Sequence, residues 1–358
     1  MKQALVASAV AGGLALLATA CTDLWSDWGL TGLGLNDLAI QQALDALPAG
    51  GGEVRLKAGV YTIQRPILLG RDGLTLRGAG PATVLRLADR ANCPVVILGP
   101  TENFPRQPIS RVALSDLTID GNRTNQQSEL WQTTGPGNLI RNNGVTVRAV
   151  HDGRVERVTV FNCRSGGVVT EHGVRRLTVA QLNSFNHEFD GLACYRTEDS
   201  VFTHLHLHHN PGAGISLDLA FDGNVISDTV LSENDVGIFM RESRLNTFNG
   251  LVIRASRNMG VFMSHAAEKN AAGEWIPTPD TQCEGNTFSG LVIRECYGPA
   301  FRVNETSCSN TLLVAAQFIN NPTGLSVAAE GLVMVRGLIE RATPTLRVED
   351  EPVDAGEF

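Results

Sequence analysis

The chain has 358 residues, 43% of them hydrophobic, with 29 Lys+Arg against 37 Asp+Glu and a formal net charge of −8. That apolar content supports a large packed core and excludes wholesale disorder. The acidic balance argues against binding nucleic acid or an anionic membrane by simple attraction.

In chain order, Lys2 is followed by an almost wholly apolar or small stretch over residues 4–18. It is short for a transmembrane span and has the form of a secretory signal. Ala18-Thr19-Ala20 fits a cleavage site, and with Cys21 behind it the stretch resembles a bacterial lipobox, Ala18 standing where Leu is usual. Residues 1–20 therefore read as a signal peptide and residues 21–35 as a tether with Cys21 as a lipid anchor. The expected location is the cell envelope, with plain secretion as the alternative. Contact with a membrane is expected only through that anchor.

Residues 36–47 (NDLAIQQALDAL) read as a short helix. Asn36 is the N-cap, and Ile40, Leu44 and Leu47 share a face. Pro48 and Gly50 to Gly52 stop it. Such a helix suits the end of a β-solenoid, whose open edge otherwise templates aggregation.

A repeat then runs through the chain. Gly144, Gly167, Gly191, Gly214, Gly237 and Gly260 each open a short alternating strand, at spacings of 23, 24, 23, 23 and 23. Gly298 opens a further copy after a surface-loop insertion over residues 266–283, and Gly324 opens the last. A second strand follows in each repeat, as in Val158-Thr159-Val160, Leu177-Thr178-Val179 and Leu205-His206-Leu207. Asn224, Asn246, Asn286 and Asn310 precede such strands and are expected to stack. This period, with period-2 strands, points to an all-β fold: a single right-handed parallel β-helix of about 12 turns over residues 36–350, with a tail over 351–358. The stretches NDLAIQQALDALPAGGGEVRLKAGVYTIQRPILL and GLTLRGAGPATVLRL resemble the start of pectate-lyase-like β-helix proteins. That resemblance implies the fold and leaves the reaction open.

Counting each repeat glycine as zero, positions +1 and +3 are apolar and face inward, so +2 and +4 face outward. The +4 column carries Glu171, Tyr195, Asp218 and Arg241 on consecutive turns. Beside it the +2 column is small at Val169, Ala193 and Ser216, then aromatic at Phe239 and Phe262, a platform for a sugar ring. The +5 column adds His172 and Arg196. From Val179 to Gly191 the chain is five residues longer than the corresponding step in other turns, so residues 180–190 read as an inserted functional loop bearing His187, Glu188 and Asp190. Asp218, Arg241, Tyr195, Glu171, His187 and Asp190 are the candidate catalytic residues. Arg196, His172, Glu188, Phe239 and Phe262 are the candidate substrate contacts. The histidines at 206, 208 and 209 show no firm metal-ligand spacing, so no metal site is assigned, and a calcium requirement is left open.

Hydrolysis would use two of these carboxylates. β-Elimination or C5-epimerisation would use a cation on the uronate carboxylate and a base such as Tyr195 or His187. FDGLACYRTEDSVFTHLHLHHN resembles a turn of the mannuronan C5-epimerases, and LTIDGN recurs there. SGGVVTEHG stands where that family carries YGFDPH, with Val169 for its Asp, Thr170 for its Pro, and Glu171 where its His would be. The expectation is a polysaccharide lyase or glycoside hydrolase, acting as a monomer on a polysaccharide. A non-catalytic glycan-binding scaffold and a uronate epimerase are the alternatives. Cys283 and Cys308 fall on adjacent turns and are expected to form a disulfide.

Overall fold

Each repeat buries alternate side chains, and its backbone hydrogen bonds are then satisfied only by the turns before and after it. The result, in a computed structural model describing residues 21–23, 36–131, 139–270, 273, 275–328, 332–335 and 337–341, is a parallel β-solenoid of about 11 turns. The expected signal peptide over residues 1–20, residues 24–35 of the expected tether and the expected tail over 351–358 lie outside the described residues. Cys21–Asp23 runs parallel to Gly52–Arg55.

The helix forms as read, over Asp37–Ala46, with the Asn36 side chain accepting from the Ala39 amide. Ile40 and Leu44 are buried. Arg71 reaches up from the first turns to the carbonyls of Leu44, Leu47 and Pro48, satisfying the orphan acceptors at the helix end.

Two long parallel sheets carry the coil. In one, Val145, Val168, Leu192, Ile215, Ile238, Val261, Phe301 and Leu325 pair in succession and point into the core. The glycine before this column is required where turns approach closely: a Cβ on Gly191 would lie 2.9 Å from Asn210 Nδ2 and 3.0 Å from the Gly214 carbonyl oxygen. The same register corrects one copy, because Val261 pairs with Phe301, so Ala300 and not Gly298 fills the glycine slot.

The chain bends at single left-handed residues. The +5 column forms one such corner, at Ala149, His172, Arg196, Leu219 and Glu242, with φ between 44° and 62°. At Leu219, a bulky side chain in this region, the amide is held by Asp218 Oδ1 at 2.8 Å.

The other sheet contains eight-residue strands at Arg154–Phe161 and Thr178–Phe185. Val155 pairs with Val179, whereas Val160 pairs with Ser184. Counting to Gly191 from Ser184 gives the ordinary step, so residues 180–190 contain no inserted loop; the apparent excess came from equating Val179 with Val160. The true insertion lies over 266–283, where Ala267–Lys269 pairs antiparallel with Trp275–Pro277.

Asn224, Asn246 and Asn286 stack inside the coil. Asn246 Oδ1 accepts from the Asn224 amide at 2.9 Å, and its Nδ2 donates to Asn286 Oδ1 at 3.0 Å and to the Phe221 carbonyl at 2.8 Å. Asn310 is one residue out of register, since Leu312 pairs with Thr287, and buried Thr311 takes the slot. Asn246→Ala would leave a buried N–H and a buried C=O unpaired. We expect a loss of about 2–4 kcal/mol in urea unfolding; a loss below about 1 kcal/mol would deny the ladder its role.

Cys283 and Cys308 are on adjacent turns, but they stand as buried thiols and not as a bridge. The Cys283 amide donates to Cys308 Sγ at 3.4 Å, while Cys283 Sγ turns to the Ser264 carbonyl. Turn spacing brings the two thiols into hydrogen-bond contact without joining them.

Candidate active groove

The small +2 residues produce a depression, as their size dictates. Val169, Ala193 and Ser216 floor a cavity of about 540 Å³ along the outer face of the strands Val168–Glu171, Leu192–Glu198, Ala213–Asp222, Val236–Met240 and Met259–Met263. Asp190, Tyr195, Phe239, Arg241 and Phe262 line it together.

Phe239 and Phe262 stack at 5.5 Å between ring centres, and the Arg241 guanidinium lies 5.1 Å over the Phe239 ring. Asp218 is only 5% exposed and lies below Arg241. Arg241 Nε donates to Asp218 Oδ2 at 3.0 Å, and Nη2 donates to the same oxygen. Asp218 therefore orients Arg241; it does not itself line the groove.

Asp190 Oδ1 accepts from the Ala213 amide at 2.7 Å. Burial pushes its carboxyl up to about 6, against the pull of that amide and of Arg141. Burial, and then the charges of Asp190 and Asp218, hold the Tyr195 phenol above its ordinary value. The groove thus pairs a carboxyl that titrates near neutrality with a phenol that keeps its proton.

The other expected site residues are placed elsewhere. His187 is fully buried. Its Nδ1 accepts from the Cys163 amide at 3.2 Å, its Nε2 meets Ser184 Oγ at 2.8 Å, and its own amide donates to Asn210 Oδ1. It fills a slot of a second interior ladder, continued by Asn210 and Asn234. Burial pushes the ring down to about 3, so it is neutral and structural. Glu171 lies 2.6 Å from Arg148, outside the groove lining. His172 and Arg196 sit at the left-handed corner, where the strand has already turned away from the groove. Glu188 pairs outward with Arg164 at 3.5 Å and Arg123 at 3.9 Å.

Among the lining residues that escaped the sequence reading are Arg141, Phe189 and Asp235. Arg141 lies 5.4 Å over the Phe189 ring. Phe189 and Asp235 come two residues before a repeat glycine, and Arg141 three before, where the chain rises onto the groove strands. A column read backward from the glycines would have found them. Among the described residues no group of three or more His, Cys, Asp or Glu is placed to hold a metal ion.

Residues 143–276 match a family model described as a right handed beta helix region. The coil is a right-handed parallel β-helix. This β-helix is 31% identical over 188 residues to the mannuronan C5-epimerase AlgE4 of Azotobacter vinelandii, covering 49% of this chain and 32% of that protein. It spans about a third or less of the length of the curated relatives it matches. Among solved structures it is similar to ORF18 of Geobacillus virus E2, with a TM-score of 0.71, 15% identity, and coverage of 88% of this chain and 61% of that one. It is also similar to a polygalacturonase from Erwinia carotovora, with a TM-score of 0.62, 14% identity, and coverage of 93% and 97%.

Proposed function

We propose that this β-helix binds an acidic polysaccharide along the groove and cleaves it by β-elimination. The observation that carries the reading is that Asp190, Tyr195 and Arg241 share one groove with the Phe239–Phe262 platform. Arg241 gives its Nε and Nη2 to Asp218 and turns its Nη1 side to a substrate carboxylate. Neutralising that carboxylate acidifies the neighbouring C5–H. Asp190 takes the C5 proton, the C–H electrons form the C4–C5 double bond, and the C4–O bond breaks. Tyr195 gives its proton to the leaving oxygen.

Relatives and structural neighbours whose names denote an epimerase of mannuronan and a polygalacturonase support a polysaccharide as the partner. Hydrolysis is the second reading. It is favoured by Asp235, a second carboxylate in the groove lining whose titration burial raises.

Purified protein against a panel of uronate and neutral polysaccharides separates these readings. Unsaturated uronate absorbance together with new reducing ends, both lost in Arg241→Ala, is the expected result. Reducing ends alone would replace elimination with hydrolysis. Neither signal on any polymer would overturn cleavage, in favour of a glycan-binding or epimerising role. We further propose that the chain is exported and anchored by lipid at Cys21, supported by the apolar run and Ala18-Thr19-Ala20 before it. Fatty-acid labelling that persists in Cys21→Ser would overturn the anchor.

A further inference from the structure

Because Ala300 and not Gly298 fills the glycine slot, Arg302 takes the +2 position of its turn. The +2 column therefore runs Ser216, Phe239, Phe262, Arg302 and Ser326, paired in parallel from turn to turn. All of these positions point to the outer face that carries the groove. The cavity lining includes Phe262 and not Arg302, which stands one turn further along the same line.

Arg302 is half-buried and is held differently from Arg241. Its Nη2 donates to Asn304 Oδ1 at 2.7 Å, a neutral acceptor. The Asn304 amide donates in turn to Glu305, and Glu305 Oε2 lies 3.9 Å from His265. Among the described residues no carboxylate forms an ion pair with Arg302. The guanidinium is thus oriented through one nitrogen without being neutralised, and its fork retains donors for an anion.

The Arg241 guanidinium lies over the Phe239 ring, so its charge also sits on the +2 column. From Phe239 to Arg302 is two turns, about 10 Å at an inter-strand spacing of about 4.8 Å. The stacked Phe239 and Phe262 rings occupy the interval. A polyuronate presents the complement of this order: carboxylates separated by the apolar faces of sugar rings. The interval is the length of a disaccharide, so the two guanidinia match the carboxylates of alternate sugars and not of adjacent ones.

We propose that Arg302 binds the carboxylate of the sugar two residues away from the one held by Arg241. It is then a specificity-determining residue, selecting uronate chains of at least three sugars whose alternate carboxylates lie on one side. This rests on the reading of the groove as a site for an acidic polysaccharide.

β-1,4-Linked glucuronate and mannuronate oligomers of two and four residues test this. They are titrated calorimetrically into Asp190→Asn protein, so that they stay intact, with and without Arg302→Met. The dimer cannot reach both arginines and the tetramer can. Arg302→Met should weaken tetramer binding about 10-fold or more, the loss of a charge-assisted pair, and change dimer binding less than about twofold. Asn304→Ala, which removes the anchor and leaves the charge, should weaken the tetramer by less. A tetramer with its carboxyls reduced to alcohols should bind both proteins alike, since methionine keeps the apolar stem. An equal loss for that reduced tetramer would assign the effect to packing and overturn the subsite. Equal tetramer affinity with and without Arg302, where Arg241→Ala abolishes binding, would overturn the subsite and leave the acidic-polysaccharide reading standing. No binding of any of these oligomers would overturn both. Unchanged circular dichroism and thermal unfolding in Arg302→Met exclude misfolding as the cause of a loss.

Discussion

Arg148→Ala will lower the free energy of unfolding by about 3–5 kcal/mol, the range for emptying a buried site and orphaning what it bonded. Arg148 occupies the same outward column as Tyr195, yet its side chain is 1% exposed. The segment beginning at Pro100 folds over it, and the guanidinium donates to the carbonyls of Pro100 at 3.2 Å and Asn103 at 3.4 Å. Removing it empties that space and leaves two carbonyls and the Glu171 carboxylate without a partner. Glu171→Gln, by contrast, will cost less than about 1 kcal/mol. Burial raises the Glu171 carboxyl above its ordinary value despite the attraction of Arg148, and burial lowers Arg148 despite Glu171. Desolvation therefore outweighs the Coulomb gain for this pair, and a neutral isostere that still accepts from Arg148 loses little. The sign follows from linkage: a carboxyl raised on folding costs stability as pH rises through its folded value. The wild type will lose stability on going from pH 4 to pH 7 relative to Glu171→Gln. Urea unfolding of both variants at the two pH values checks this. Equal losses for the two substitutions would show that charge, and not packing, holds the segment from Pro100 down.

Arg148 also shows where the sequence stops being legible. Alternation assigns it correctly to the outward side of its strand, but only a segment more than forty residues earlier makes that side interior. The features that local pattern controls were readable: the capped helix, the inward apolar columns, the small floor of the groove, and its rim at Tyr195, Phe239, Arg241 and Phe262. Period 2 and a repeat of 23 or 24 residues determine those directly. His187 failed because its slot is an asparagine ladder position, recognisable only once Ser184 is aligned with Leu207. That alignment is hidden by a strand carrying two inward apolar pairs, Val155 with Val158 and Val179 with Leu182, either of which serves as a counting origin. His172 and Arg196 failed because continuing the alternation one residue past the +4 column runs into the left-handed corner.

Asp190 survives the correction of its loop, and it is where the proposed chemistry is most exposed to test. Asp190→Asn should reduce kcat/KM about 10²–10⁴-fold, the usual contribution of a positioned general base. It should also remove a limb from the pH profile. With its carboxyl at about 6, Asp190 is competent as a base only when ionised, so wild-type kcat/KM should rise through pH 6 and level off above it. Stability runs the opposite way. The folded protein holds this proton more tightly than the unfolded chain, where the group has its ordinary value of 3.8, so the contribution is complete below that value and is lost as pH rises through about 6. The asparagine variant cannot ionise. It should therefore become more stable relative to wild type over the same interval in which wild type becomes active. A residue kept for packing would show the stability change without the activity limb. If Asp190→Asn leaves the limb in place, the base is another group, and Asp235, two turns along the groove, is the next to change.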